Sequence, residues 1–356
     1  MKYDKTLSNR SYRDTRVEIL RIVLITMIVI HHCLVHGLKM SDLKLENCSA
    51  IPPLFQFLLN SFVIVGVNGF FWISGYFGVK RNIKKIIRLY LLCIYSEVVW
   101  NIAAIVLKFE VVSFNKIINI VFPIRDYWFI AVYIALVLLS PYINNIMNNS
   151  TKKEQLISVG IVTSINILYG FVFNFVGIGD GYTVFQGINM YIIGRLCYNN
   201  ILFIKKYFKR IMLVVLFILS AILLGGLTYC LSVNGYSTKA WHMFAYNDPI
   251  VILMSVIFCL IFVIRDRVDK SRIVTKMISI ASGSCLAAYL LTDNLIAKKY
   301  VFGPLKTILS TSNGNPIEIS IIIVCYSILL VVICVIVDII RKIILQLLSN
   351  LKNKYL

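Results

Sequence analysis

The stretch "RIVLITMIVIHHCLVHG", Arg21–Gly37, decides how the rest of the chain is read. It is apolar at nearly every position, yet it opens on an arginine and holds three of the chain's four histidines, His31, His32 and His36. Apolar runs of similar length, near the ~20 residues a helix needs to cross a bilayer, recur along all 356 residues. Composition agrees: 59% of residues are hydrophobic, 15% are charged and the mean hydropathy is +0.83, where a soluble domain carries about 25% charged residues. Lipid offers no hydrogen bonds, so each span must be a helix, whereas β-barrel strands would alternate in ~10-residue segments. The expected fold is all-α, a polytopic integral membrane protein.

Ten spans are expected, at roughly 17–38, 55–79, 86–107, 127–146, 156–176, 184–199, 211–231, 249–264, 277–297 and 317–340. The segment "INIVFP" (118–123) is too short to cross. The first span is expected to stay as a span and not to be removed as a signal peptide, because no small-residue cleavage site follows it. Basic runs fall on alternate loops, among them "KRNIKKIIR" (80–88), "FIKKYFKR" (203–210) and "RDRVDKSRIVTK" (265–276). Roughly three quarters of all Lys and Arg lie on that one side, which the positive-inside rule makes cytoplasmic. Both termini are then cytoplasmic, and residues 1–356 form a single membrane domain with short basic tails at 1–16 and 341–356. The net charge of +20 reads as this loop decoration and not as a nucleic-acid surface. Nine scattered cysteines without a CxxC pair read as small buried apolar residues, and no metal site is expected. The outer loops are too small to hold an enzyme domain, so any chemistry lies among the helices.

Polar residues within spans are costly and each raises a functional question. Arg21 and His32 are eleven residues apart, which returns within about 20° of the same helix face after a rise of roughly 16 Å. They share one stripe, with Arg21 near the cytoplasmic end and His32 in the outer half. His36 follows one turn later on nearly the same face, while His31 points elsewhere. Histidine can be buried neutral and can exchange a proton near pH 7, which suits a base that activates a hydroxyl. Lys85 and Arg88, three residues apart on one face at the start of the third span, make a candidate anion site for a phosphorylated cytosolic molecule. Glu97 and Asn101 lie inside that span. A carboxylate there needs a partner, and a basic residue or histidine of the first span is the expected one. On the outer side, "GIGDGY" (177–182), "GYSTKAWHMFAYNDP" (235–249) and Asp293–Asn294 mix carboxylates, amides and aromatics of the kind that hold sugars.

These residues carry a resemblance that covers nearly the whole chain. "RVEILRIVLITMIVIHH" resembles the opening span of the membrane-bound acyltransferase 3 family, the integral-membrane O-acyltransferases of cell-surface glycans. That span has a basic residue, ten intervening residues and an essential histidine, here Arg21 and His32. "FFWISGYF" (70–77) is similar to the second span with its Ser-Gly-Tyr end, and Lys85-Ile-Ile-Arg88 stands where the family has Arg-x-x-Arg. "YWFIAVYIALVLLSPYIN" (127–144), "MYIIGR" (190–195), "AYNDPIVIL" (245–253) and "ASGSCLAAYLLTDN" (281–294) resemble later motifs. Two positions depart from the pattern. Lys85 keeps the charge of the first arginine but loses its bidentate geometry. Thr292 stands where the late motif usually has histidine, which removes a second candidate proton handler.

The resemblance implies an O-acyltransferase, most simply an O-acetyltransferase with acetyl-CoA as cytosolic donor. The acceptor would be a hydroxyl of a cell-envelope polysaccharide or lipid-linked glycan precursor at the bacterial plasma membrane. His32, Arg21 and Glu97 are the expected catalytic residues. Lys85, Arg88 and Arg21 would meet the phosphates of CoA. His36, from the shared face of the first span, and Ser74, Tyr76, Trp128, Tyr133, Asn247 and Asp293, from the matching motifs, are the expected substrate-facing residues. The competing reading is a transporter or flippase for a glycolipid or polysaccharide intermediate, which would more often show internal repeats. No convincing repeat relates the two halves of this chain.

Overall fold

The computed structural model describes residues 14–40, 51–109, 114–175, 177–265, 271–305, 307 and 315–355. Within them the chain is helical, with no strand. The helices are α1 (Thr15–His32), α2 (Ile51–Val63), α3 (Gly66–Phe77), α4 (Ile83–Val106), α5 (Phe114–Val121), α6 (Trp128–Asn149), α7 (Lys152–Ile165) and α8 (Val184–Asn199). They continue as α9 (Ile201–Tyr207), α10 (Arg210–Val233), α11 (Ser237–His242), α12 (Pro249–Val263), α13 (Arg272–Ser282), α14 (Cys285–Asp293), α15 (Leu295–Tyr300) and α16 (Pro316–Tyr355).

Eight stretches among the described residues are long and apolar enough to cross a membrane: Thr15–Gly37, Leu54–Phe77, Ile83–Val106, Trp128–Asn149, Lys152–Val172, Arg210–Val233, Arg272–Asp293 and Pro316–Asn350. The two other expected spans fall on α8 and α12, which have 16 and 15 residues and stop short of that length. Their ends are set by capping groups. The Thr183 hydroxyl accepts the backbone N–H of Gln186 ahead of α8, and the Asp248 carboxylate accepts those of Ile250 and Val251 ahead of α12. The "INIVFP" segment forms the end of the eight-residue α5 and the turn after it. The expected cytoplasmic tail at 341–356 is not a separate segment, because α16 continues unbroken through Tyr355. Forty helical residues run about 60 Å at 1.5 Å each, roughly twice the hydrocarbon thickness. The tail at 1–16 lies outside the described residues up to residue 13.

α1 is the central post. It touches α2, α3, α12, α13, α14 and α16, and Val17, Leu20, Leu24, Ile25, Ile28 and Val29 are all buried. Its last turn widens into a π-turn over Cys33–Gly37. The closest helix pair is α3 with α8. A side chain on Gly75 would overlap the carbonyl oxygen of Tyr191, and one on Gly194 would overlap that of Trp72. In lipid, where apolar surface alone does not drive helices together, small residues let backbones approach and gain packing. Buried amides add cross-links to this seam: Gln186 donates to Asn68 Oδ1 at 2.9 Å and to the Tyr246 carbonyl at 2.7 Å, and Asn68 donates to the same carbonyl at 2.9 Å.

This contact predicts a sharp contrast between two glycines. Gly194→Val forces backbone apart and should cost more than ~4 kcal/mol, so that little folded protein survives detergent extraction. Gly226→Val, at a position with no atom within 4 Å of an added Cβ, should extract like the parent chain. Fluorescence-detected size-exclusion chromatography of both variants measures this.

Candidate functional site

The Arg21 stripe of α1 faces a cavity. Arg21, Ile25 and Ile28 line one wall of a space of about 310 Å³, and these positions follow the i, i+4, i+7 spacing of one helix face. Ser74 and Phe70 on α3, Lys85 and Leu89 on α4, Phe129 and Tyr133 on α6, and Ser282, Cys285 and Tyr289 on α13–α14 supply most of the rest. The walls are apolar except at the Arg21–Lys85 end. There the Arg21 guanidinium bonds Glu18 Oε1 at 2.9 Å, and the Ser282 hydroxyl donates to the other oxygen of the same carboxylate. Lys85 Nζ donates to the Tyr133 hydroxyl at 2.8 Å. The two cations and Glu18 leave a net positive charge, and among the described residues Arg21 and Lys85 keep further donors for an anion.

His32 is the next residue along the stripe. It is buried, and its ring is packed edge-on against Phe302 at 6.2 Å and beside Tyr289 at 6.4 Å. Nδ1 lies 3.3 Å from Thr292 Oγ1 and Nε2 lies 4.0 Å from Asp293 Oδ1. The Asp293 carboxylate is held by two donors, Lys298 Nζ on Oδ1 at 2.7 Å and the Tyr289 hydroxyl on Oδ2 at 2.7 Å. Tyr289 therefore joins the two regions: its side chain lines the cavity, and its hydroxyl orients the carboxylate beside His32. His36 sits 5.6 Å from His32, ring to ring, as the shared face predicts. His31 points away, as expected, with Nδ1 2.7 Å from Asn60 Oδ1 and its ring stacked on Trp241.

Several expected residues stand elsewhere. Glu97 is buried, but its partners are not the basic residues or histidines of α1. Tyr127 Oη and Asn294 Nδ2 each donate to Glu97 Oε1 at 2.8 Å. α14 packs between α1 and α4 here, and the residues that bond Glu97 are neutral donors. Arg88 does not share the Lys85 cavity. It lines a second groove of about 610 Å³ between α4 and α16, with Lys85, Tyr95 and Arg341. Three residues along a helix is about 300° of rotation, so the longer side chain reaches the neighbouring space, and of the two cations Lys85 lines both. Tyr76 packs on Trp72 at 4.9 Å and against Tyr198, outside the cavity lining. Ser74 lines the cavity but gives its hydroxyl proton to the Phe70 carbonyl. Trp128 stacks with Tyr246 and meets Tyr182 edge-on. Asn247 is fully buried near the Ile178 carbonyl, with Oδ1 unpartnered. These two belong to the loop cluster at the opposite end of the bundle from Arg21 and Lys85.

Sequence reasoning missed Glu18, Ser282, Tyr127, Tyr289 and Lys298. Tyr289 and Asp293 are four apart on α14, an i, i+4 signal that was available. The Glu18–Arg21 spacing of three was available too. Lys298 reaches Asp293 only because Asn294 ends α14 and starts α15, capping it through Ile296 N–H at 2.9 Å. That turn had no sequence cue beyond the Asp-Asn pair.

A family model described as an acyltransferase domain matches residues 14–339. The chain belongs to the acyltransferase 3 family. No curated protein and no solved structure matches it. The match begins at the N-cap of α1 and runs into α16, so the cavity and the His32 centre both lie inside it. As a membrane acyltransferase of this family, the chain would contact the bilayer and an acceptor.

The buried ion pair at this centre gives a stability prediction. Lys298→Met leaves the Asp293 carboxylate with only the tyrosine donor. Because about a quarter of the Lys298 side chain is exposed (26%), the expected loss is about 1–3 kcal/mol, below that of a fully buried pair. Adding Asp293→Asn to Lys298→Met should recover part of it, and thermal unfolding in detergent reads both.

Proposed function

We propose that this acyltransferase moves an acetyl group from cytosolic acetyl-CoA to a hydroxyl of a cell-envelope polysaccharide or lipid-linked glycan precursor at the bacterial plasma membrane. In this reading the chain crosses ten times, with α8 extended by α9 and α12 as short crossings, and both termini face the cytosol. The Arg21–Lys85 end of the cavity is then the cytosolic, donor-facing end.

The observation that carries the reading is the single stripe on α1. Arg21 opens it, Ile25 and Ile28 wall an apolar cavity, and His32 ends it beside a held carboxylate. Such a space suits a ligand with anionic groups at one end and a long, largely apolar arm. Arg21 and Lys85 hold the phosphate end, with Arg88 and Arg341 of the adjoining groove as further cations. The apolar walls keep water from the acyl group, which protects it from hydrolysis.

His32 acts as the base. Its Nε2 takes the proton of the acceptor hydroxyl as the new ester C–O bond forms and the thioester C–S bond breaks, and the same proton then leaves with the thiolate as a thiol. Lys298 already balances Asp293 at rest, and as a base the imidazole starts neutral. Once it gains a proton, Asp293 Oδ1 at 4.0 Å stabilises it. Glu97 holds the adjacent Tyr127–Asn294 corner and acts through it, without a proton-transfer role. On the outer side, Trp128 and Tyr182, backed by the buried Tyr246, supply aromatic surface for an acceptor sugar.

Two measurements test this. His32→Ala should reduce acetyl transfer at least ~10²-fold with normal amounts of protein in the membrane, read by mass analysis of envelope glycans. Unchanged glycan acetylation would sink the reading, and loss of glycan export with unchanged acetyl content would favour a transporter. Separately, Cys285 lines the cavity, so saturating acetyl-CoA should slow its alkylation by a small maleimide. Peptide-level mass spectrometry follows that cysteine among the others. Arg21→Gln and Lys85→Gln should each abolish most of the protection.

A further inference from the structure

The threonine that replaces the late-motif histidine touches His32, and its hydrogen bonds determine what it can do there. A threonine hydroxyl has one proton and can also accept. The Thr292 hydroxyl lies 2.9 Å from the Ala288 carbonyl and 3.2 Å from the Tyr289 carbonyl, four and three residues back on its own helix. Both are acceptors only, so the hydroxyl proton is committed to the backbone. The contact from Thr292 Oγ1 to His32 Nδ1, at 3.3 Å, then has one workable polarity: the imidazole Nδ1–H donates and the threonine oxygen accepts.

We infer that Thr292 is a positioning residue that fixes His32 in the Nδ1–H tautomer. Nε2 is left with its lone pair turned toward Asp293. Among the described residues, Thr292 is the side chain within hydrogen-bond distance of His32 Nδ1, while the His36 ring stands 5.6 Å away, centre to centre. Phe302 and Tyr289 offer ring faces or edges, the Tyr289 hydroxyl is committed to Asp293, and Lys298 is bonded to the same carboxylate. Nε2 is 4.0 Å from Asp293 Oδ1, beyond a direct hydrogen bond. A hydroxyl that donates its one proton to Nε2 at about 2.8 Å fits beside that gap. The geometry therefore leaves Nε2 ready to accept from a hydroxyl that enters between His32 and Asp293. A second histidine at position 292 could itself donate, accept or take up a proton. Threonine can do only one of these toward His32, so this chain concentrates the proton-handling on a single ring.

The inference rests on the reading of His32 as the base only for its kinetic consequence; the tautomer itself is independent of any reaction. Two experiments keep these apart. The first is nitrogen-15 NMR of histidine-labelled protein in detergent at neutral pH, with His32 assigned by the signals lost in His32→Gln. A protonated Nδ1 and an unprotonated Nε2 are expected. A protonated Nε2 with bare Nδ1 overturns the assignment, whatever the enzyme's activity. The second compares Thr292→Val with Thr292→Ser. Valine keeps the shape and removes the acceptor, so kcat should fall about five- to tenfold with KM for both substrates unchanged. The same valine variant should show a shifted His32 tautomer signal. Serine, which restores the hydroxyl, should recover most of the rate and the Nδ1–H signal. Should Thr292→Val fail to fold, the parent-protein spectrum still decides the tautomer. A valine variant that keeps both the tautomer and kcat overturns the positioning role. A shifted tautomer with unchanged glycan acetylation would instead contradict the base reading of His32.

Discussion

A buried carboxylate has no water to solvate it, and this constraint organises the centre of the molecule. Asp293 ends α14 with its side chain almost fully enclosed. Burying that charge alone would cost several kcal/mol, so the fold supplies two donors to it. Tyr289 comes from one turn earlier on the same helix, and Lys298 comes from α15 after a capped corner. Once both are in place, the carboxylate has a fixed orientation and a balanced charge. A neutral imidazole can then sit beside it without being drawn into a permanent ion pair. The 4.0 Å separation of His32 from Asp293 follows from that saturation: the oxygens already have partners, and the ring is held back by Phe302 and Thr292.

The same rule explains the other buried acids, Asp248 by the backbone N–H groups of Ile250 and Val251 that it caps. Glu18 lies beside Arg21 and Ser282, Glu97 beside Tyr127 and Asn294, and Asp338 beside Arg341 and Lys342. The partner chosen differs with the work available. Glu18 leaves Arg21 aligned along the cavity wall with donors to spare, which suits an anion-facing end. Glu97 has only neutral partners, which suits a group that anchors a corner between α4, α6 and α15. Two carboxylates that looked alike as intramembrane acids are separated by what surrounds them.

The stripe was legible in the sequence because it depends on one helix alone. Arg21, Ile25, Ile28 and His32 fall on one face by arithmetic, and the divergence of His31 follows from the same phase. The all-helical membrane fold was legible for a similar reason, since apolar length is a local property. What could not be read were contacts between helices distant in sequence. The partner of Glu97 lies 30 residues away at Tyr127 and 197 away at Asn294, and nothing in either local pattern points to the other. The Lys85–Arg88 pair shows a subtler loss. Spacing of three put both on one side of α4, but the cavity and the neighbouring groove meet at that side, and a few tens of degrees decide which space each enters. Tyr76 was placed by motif rather than by phase, and Trp72 and Tyr198 enclose it instead.

His31 and His32 show how far a single residue step can carry. Both are buried on α1, one position and about 100° apart. His31 faces α2 and α11, where Asn60 and Trp241 hold it in an amide-and-aromatic contact. His32 faces α14, where every neighbour is either committed elsewhere or shaped to leave Nε2 exposed to one small gap. The difference lies less in the histidines than in the donor inventory of the facing helix. Asn60 can satisfy an imidazole and end its chemistry. Thr292 can accept a proton donor but offers no second proton, and Asp293 is already bonded. Among the described residues, the neighbours on α14 and α15 are thus already hydrogen-bonded, and Nε2 faces the gap to Asp293.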